Sequence, residues 1–422
     1  MSTALVEHFF RHEYGKLVAS LSRRVGVQNI EAIEDAVQSA LMTALESWKR
    51  DGPPHNPSAW LFRVAHNNLL DSLRTHSGRR RILERSAGAE LASNDGPEAF
   101  LGGEVSDDLL RMLFVCCDDA IPVEAQLVLA LKTLCGFSVS EIALRLFATE
   151  ANIYKRLSRA RSRLREQPPR IDGLSNEERT SRLPGVHRIL YLLFTEGYLS
   201  SHAELAIRRE LCNEAIRLGA ILAEHPTGQT PETFALLALM HLHTARITSR
   251  QDTSGGLLLL EEQDRDLWDQ HQIQIGLAWL ARSADGDVLS RYHAEAGIAA
   301  EHCLAPSFSE TGWERVAMSY ALLETVSPSA LHRLNRAVAV AEWQGAAAGL
   351  AVLDGFEPPT WLVGSYMWSA VLADLHRRAG NVMLAGRYRE LALQSAPSPA
   401  VRVLIARRLE PIDSGGSPGG EA

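Results

Sequence analysis

The sequence predicts an all-α fold in three parts: two small helical domains, the second a helix-turn-helix, then a larger helical array. Three observations carry this. Apolar residues recur at three- and four-residue spacing along most of the chain, and clear alternating strand patterns are absent. Two polar stretches containing Gly or Pro, 83–106 and 167–182, divide it. The 422 residues exceed what one ordinary core accommodates.

Residues 1–82 read as helices and form the first domain. "LERSAGAELASNDGPEAFLGGEVS", 83–106, reads as a flexible linker. The block 107–166 is helical again and forms the second domain. Within it Gly136 closes one helix, and Ser138 or Ser140 caps the next with Glu141 near its positive end. Ile142, Leu144 and Leu146 are expected inside, and "FATE" makes the turn. In the following helix Ile153, Leu157, Ala160 and Leu164 form the inward stripe. That leaves Asn152, Lys155, Arg156 and Arg159 outward near its start, and Arg161, Arg163 and Arg165 toward its end.

This pattern fits a helix-turn-helix whose second helix reads the major groove, with the later arginines on phosphates. A solvated basic helix is the alternative on this stretch alone. Pro168 and Pro169 end the helix, and 167–182 is expected to be a connection. From 183 to 410 the chain is rich in Ala and Leu, and 411–422 reads as a disordered tail.

Composition narrows the function. The net charge of -8 conceals an asymmetry: residues 1–170 hold 22 Lys/Arg and 21 Asp/Glu, the remainder 21 and 30. Within 145–170, eight basic side chains face two acids, the footprint of a phosphate-binding surface. No apolar run is long enough to span a bilayer, and the charged N-terminus does not read as a signal peptide. Five cysteines without a CxxC pair fit a reducing cytoplasm.

Upstream, "IEAIEDAVQSALMTALESW" precedes "NPSAWLFRVAHNNLLDSLRTHSGRRR". This stretch resembles the second conserved region of extracytoplasmic-function (ECF) sigma factors of the sigma-70 family, matching at Glu34, Asp35, Gln38, Pro57, Trp60, Leu61, Val64, Ala65, Asn67, Asp71, Leu73 and Arg74. The 107–166 block resembles the fourth conserved region. The resemblance implies a sigma factor that binds RNA polymerase core and directs promoter-specific initiation. Glu34, Asp35 and Gln38 would meet the β′ subunit, with β as the further polymerase partner.

It further implies that the -10 element is read by Asn56, Ser58, Trp60, Arg63, Asn67, Asn68 and Arg74, with Arg79, Arg80 and Arg81 on the backbone. The -35 element would fall to Ser138, Asn152, Lys155, Arg156, Arg159 and Arg163. Trp60 also reads as a core aromatic, and Asp71 as an orienter of neighbouring arginines.

The last 250 or so residues resemble the extension of one ECF subgroup with a tetratricopeptide-like (TPR-like) domain. "AVLADLHRRAGNVMLAGRYRELALQSAP" sets Ala373, Gly380, Ala385, Ala392 and Pro397 at suitable spacing, and an irregular helical domain is the alternative. That subgroup tends to carry "LFTCCHPAL"; here "LFVCCDDAI" keeps Cys116 and Cys117 but has Asp118 in place of histidine. The cysteines therefore read as small buried residues rather than a metal site.

"EEQDRDLWDQHQ" gathers carboxylates, which also arise on any solvated helix. His241 and His243 point to different helix faces. No P-loop, Rossmann, HExxH or nucleophile-elbow motif appears, so no enzyme activity, cofactor or metal is expected. The acidic extension is expected to regulate the sigma part in cis and to take a protein or peptide ligand. A helix-turn-helix regulator acting without polymerase, or a TPR-like scaffold, are the competing readings.

Overall fold

The computed structural model describes residues 3–83, 102–146, 148–169, 174–198, 207–252, 256–397 and 399–409. Helix is the dominant element among them, and the single extended feature is an isolated bridge between Gln251 and Leu257. The chain divides into two compact units, Met1–Thr233 and Phe234–Ala422.

In the first unit, α1 (Thr3–Val25), α2 (Ile30–Asp51) and α3 (Pro57–Leu83) pack as a bundle. Leu17, Val18 and Leu21 of α1 meet Ile33, Val37 and Ala40 of α2 and Leu61, Ala65 and Leu69 of α3 in the interior. Each large aliphatic side chain so buried contributes about 1.5–3 kcal/mol. Gly52 at φ 78° ends α2, and Asn56 Oδ1 accepts from Ala59 N at 3.1 Å to start α3, with Pro57 at its first position.

Four further helices follow: α4 (Gly102–Cys116), α5 (Val123–Thr133), α6 (Val139–Arg145) and α7 (Glu150–Glu166). Ser138 and Glu141 form a reciprocal capping box on α6, and Thr149 Oγ1 accepts from Asn152 N to cap α7. Gly136 adopts φ 66° before Ser138, as its helix-closing position requires. The expected inward stripe of α7, Ile153, Leu157, Ala160 and Leu164, is fully buried. Leu144 is a correction: it is 60% exposed, because residues two apart on an α-helix point to opposite sides, and Ala143 is buried beside Ile142 instead. Leu146 is half-buried.

Helix α8 (Asn176–Tyr198) begins inside the stretch expected to be a connection, on a capping box between Ser175 and Glu178. It and α9 (Arg209–Glu224) pack onto α4 and α5, so the first unit extends well beyond residue 170. Most of the expected linker, 84–101, and the expected tail, 411–422, lie outside the described residues, as do 170–173.

The second unit contains most of α10 (Pro231–Thr244), then α11 (Gln270–Ser283), α12 (Arg291–Leu304), α13 (Trp313–Val326), α14 (Ala330–Gln344) and α15 (Ala346–Val352). After them come α16 (Thr360–Val363), α17 (Tyr366–Arg378), α18 (Val382–Gln394) and α19 (Pro399–Arg408). Successive helices pack against one another from α11 to α15, and α17 pairs with α18. Gly380 at φ 80° turns α17 into α18, whose facing Ala373 and Ala392 are buried. No described helix is long and apolar enough to cross a membrane.

Candidate nucleic-acid and polymerase interfaces

Because the apolar stripe of α7 faces the core, its opposite face is available. Asn152, Lys155 and Arg159 are exposed, and Arg156 and Arg163 are half-exposed. Tyr154, not singled out from sequence, is 58% exposed on the same helix. Ser138 is exposed, but its hydroxyl is engaged in the α6 cap and lies 3.0 Å from the Ser140 hydroxyl.

On α3, Arg63, Asn67 and Arg74 recur at spacing that places them on one exposed face. Asp71 Oδ1 lies 3.4 Å from Arg74 Nη1, holding that guanidinium as expected of an orienting carboxylate. Asn68 and Ser58 are half-buried. Asn56 serves as the cap of α3, which occupies its side-chain oxygen. The Trp60 ring stands 5.6 Å from Trp48, which stands 5.8 Å from Phe10. This aromatic ladder favours the core reading of Trp60. The side chains of Arg79, Arg80 and Arg81 lie outside the described residues.

Helix α2 presents Asp35, Gln38, Met42 and Leu45 along one exposed stripe. Met42 and Leu45 were missed from sequence because an apolar residue on an amphipathic helix defaults to the core. Glu34 is a correction: expected outside with Asp35 and Gln38, it is 3% exposed. Its Oε1 accepts from Thr133 Oγ1 of α5 at 2.8 Å, and its Oε2 is bonded by Arg161 of α7. Burial raises the Glu34 carboxyl above its ordinary value, against the lowering effects of Arg161 and Thr133.

The contact around Glu34 is broad. Arg161 and Arg165 also approach Glu31, at 3.6 and 3.2 Å. On α1, Arg23 reaches Asp108 of α4 at 3.2 Å. Gly15 sits where any Cβ would come 2.1 Å from the Leu134 carbonyl oxygen, so only glycine permits this approach. Burial first, then the Glu34 carboxylate, push the neighbouring Tyr14 phenol far above its ordinary value.

A second cluster ties α8 and α9 to the helix-turn-helix. Arg208 is 5% exposed; its Nη1 donates to Glu141 Oε1 at 3.1 Å and lies 3.9 Å from Glu196. Its guanidinium also stacks 5.6 Å from the Phe137 ring. The capping carboxylate of α6 is thus held from the other side. Arg182 of α8 donates to Asp118 Oδ2 at 2.8 Å and to the Phe114 carbonyl at 3.1 Å. Asp118 is an anchor for α8, while Cys116 and Cys117 are buried with thiols pushed up by desolvation.

In the second unit the acidic stretch 261–271 resolves into caps. Glu262 accepts from Leu259 N, Asp264 from Asp266 N, and Asp269 from Gln272 N at the start of α11. Among the described residues no group of three His, Cys, Asp or Glu could hold a metal ion.

Comparison with known proteins matches three segments. Residues 10–79 match the family described as Sigma-70 region 2, and 112–164 match Sigma-70, region 4. Residues 182–284 match a family of unknown function, DUF6596. Over 385 residues the chain is 35% identical to an uncharacterized protein of Rhizobium meliloti (strain 1021), covering 91% of this chain and 90% of that protein. No solved structure matches it.

Proposed function

We propose, from the premise that this chain belongs to the sigma-70 family and carries its regions 2 and 4 before a C-terminal extension, that it is an ECF-type sigma factor regulated by a closed contact within its own first unit. The family makes it a transcription initiation factor rather than an enzyme, with RNA polymerase core and promoter DNA as partners. The observation that carries the reading is the pair of outward faces: Asn152, Lys155 and Arg159 on the region 4 reader helix, and Asp35, Gln38, Met42 and Leu45 on α2 of region 2.

In this reading the α2 stripe docks on the β′ subunit, with Met42 and Leu45 supplying apolar area and Asp35 and Gln38 fixing orientation. Arg63, Asn67 and Arg74 of α3 face the -10 element, and the start of α7 enters the major groove at the -35 element. The names of the two elements set them about 25 base pairs apart, roughly 85 Å of B-form DNA. The Glu34–Arg161 bond joins α2 directly to α7. Both elements can be engaged together only after that bond opens.

The extension enters through α8 and α9. By clamping Glu141 and Asp118, Arg208 and Arg182 brace region 4 and set how readily it leaves region 2. The array beyond Phe234, whose α17–α18 pair has TPR-like spacing, is the regulatory portion of a cytoplasmic factor in this account. Co-purification with core polymerase tests the docking face: Asp35→Lys with Gln38→Lys, which reverses one charge and adds another, should cost about tenfold or more in affinity. Undiminished core binding by that variant contradicts the assignment.

A further inference from the structure

The second unit carries an open pocket of about 280 Å³ that plays no part in the reading above. At roughly 30 Å³ per water it has room for about nine waters, the size of a small metabolite rather than a peptide. One wall is aromatic and aliphatic: Phe308, Trp313, Val316, Tyr320 and Val338. The Trp313 indole donates to the Phe308 carbonyl at 3.2 Å and stands edge-on to Phe308 and to His302, so this wall is fixed in place.

The polar lining is ordered as well. Glu261, Arg408, Asp374, Arg378 and Glu342 form a chain of alternating charge. Arg408 bonds Glu261 and lies 3.9 Å from Asp374; Arg378 lies 3.5 Å from Asp374 and bonds Glu342. Glu261, Glu342 and Arg408 line the cavity itself. Arg378 bonds Oε1 of Glu342, and among the described residues Oε2 accepts no hydrogen bond. Arg408 uses Nη1 on Glu261, and its Nη2 donates no hydrogen bond among the described residues.

The cavity therefore presents a carboxylate and a guanidinium, each ion-paired on one side, together with an apolar wall. His302, 8% exposed, also lines it. Desolvation, with Arg246 and Arg265 nearby, lowers its imidazole to about 3, so it stands neutral there at physiological pH and repels neither charge.

We propose that this cavity binds a small zwitterion with an apolar body, a free α-amino acid, whose ammonium is taken by Glu342 and whose carboxylate is taken by Arg408. The apolar side chain lies on Trp313, Val316 and Val338. Such a ligand makes the extension a metabolite sensor, and the binding claim stands independently of sigma activity.

The test is calorimetric titration of the full-length protein with L-leucine, L-phenylalanine and L-methionine. Two analogues of leucine that each lack one charge, 3-methylbutylamine and 4-methylpentanoate, are titrated in parallel. At least one amino acid is expected to bind saturably, with each analogue weaker by about tenfold or more. Glu342→Gln should weaken binding by a similar factor. Because that change also frees Arg378, Val338→Phe serves as the second variant: it fills the cavity, touches no ion pair and should abolish binding. The proposal is overturned if none of the three amino acids binds at millimolar concentration, if the amine alone binds as tightly as the amino acid, or if Val338→Phe binds normally.

Discussion

Arg161 of α7 bonds the carboxylate of Glu34, which is buried on α2. A helix of region 2 and a helix of region 4 are thus held together through one ion pair. Removing one member of a buried pair typically costs about 3–5 kcal/mol, because the survivor stays buried and uncompensated. Arg161→Ala should therefore open the contact, read as faster amide hydrogen exchange in α2 and α7. Unchanged exchange in both helices contradicts the assigned role of the pair. The neighbouring Arg165–Glu31 pair is exposed, and Arg165→Ala should change exchange little.

Gly15→Ala separates packing from charge. Within a helix, alanine is favoured over glycine by about 1 kcal/mol. Here the added methyl meets the Leu134 carbonyl oxygen, so region 2 and region 4 must part or shift. The expected outcome is opening without loss of helix content, measured by exchange and by circular dichroism together. An alanine variant with greater stability and an intact contact contradicts the account.

The fold class and the inward face of α7 were legible, because Ile153, Leu157, Ala160 and Leu164 repeat with the period of a helix that has one buried side. Glu34 was not legible. A carboxylate next to Asp35 reads as solvated, and nothing local reveals that Thr133 and Arg161, about a hundred residues on, will enclose it. The start of α8 was readable but missed: Ser175-Asn176-Glu177-Glu178 has capping-box spacing, yet the prolines at 168 and 169 suggested a connection. Pro184 is accommodated inside α8. The carboxylates of 261–271 look like a site in sequence because caps and metal ligands draw on the same residue types.

The Arg208 clamp makes the place of truncation decisive. A chain ending near residue 170 loses α8, α9 and the partners of Glu141 and Asp118, and should unfold at lower denaturant than the full protein. A chain ending at Thr233 keeps them and should retain region 4 stability. Arg208→Ala alone should cost about 3 kcal/mol, since it removes the buried guanidinium shared by Glu141 and Glu196. Equal stability of the two truncations contradicts the brace.

Acid should act on Glu34 and on the buried histidines of the second unit in opposite directions. Glu34 has a raised carboxyl, so its folded form takes up a proton before its unfolded form does. Its contribution grows as pH falls through the raised value and is lost as pH rises. Glu34→Gln should remove that slope from hydrogen exchange across α2 and α7. His243 and His302 are lowered to about 3 by burial, so the unfolded chain protonates first. Their contribution is present above about 6.5 and declines toward 3, by up to about 1.4 kcal/mol per pH unit each. His302→Gln should flatten the acid limb of the stability curve of the second unit.

The reader helix makes its own separable prediction. Replacing Lys155 or Arg159 by alanine should weaken promoter binding, and removing one phosphate-neutralising side chain reduces the salt slope by about one. Asn152→Ala should relax base preference and leave that slope unchanged. A loss of affinity with neither signature contradicts the placement of α7 in the groove.

Run-off transcription with purified core polymerase on a library of promoter sequences tests the central claim most directly. The account predicts sequence-selective transcripts that depend on this protein, are lost in the Asp35→Lys, Gln38→Lys variant, and rise when Arg161→Lys weakens the closed contact while preserving its charge. Core polymerase that initiates no more selectively with the protein than without it, across the library and with the Arg161 variant, contradicts the account.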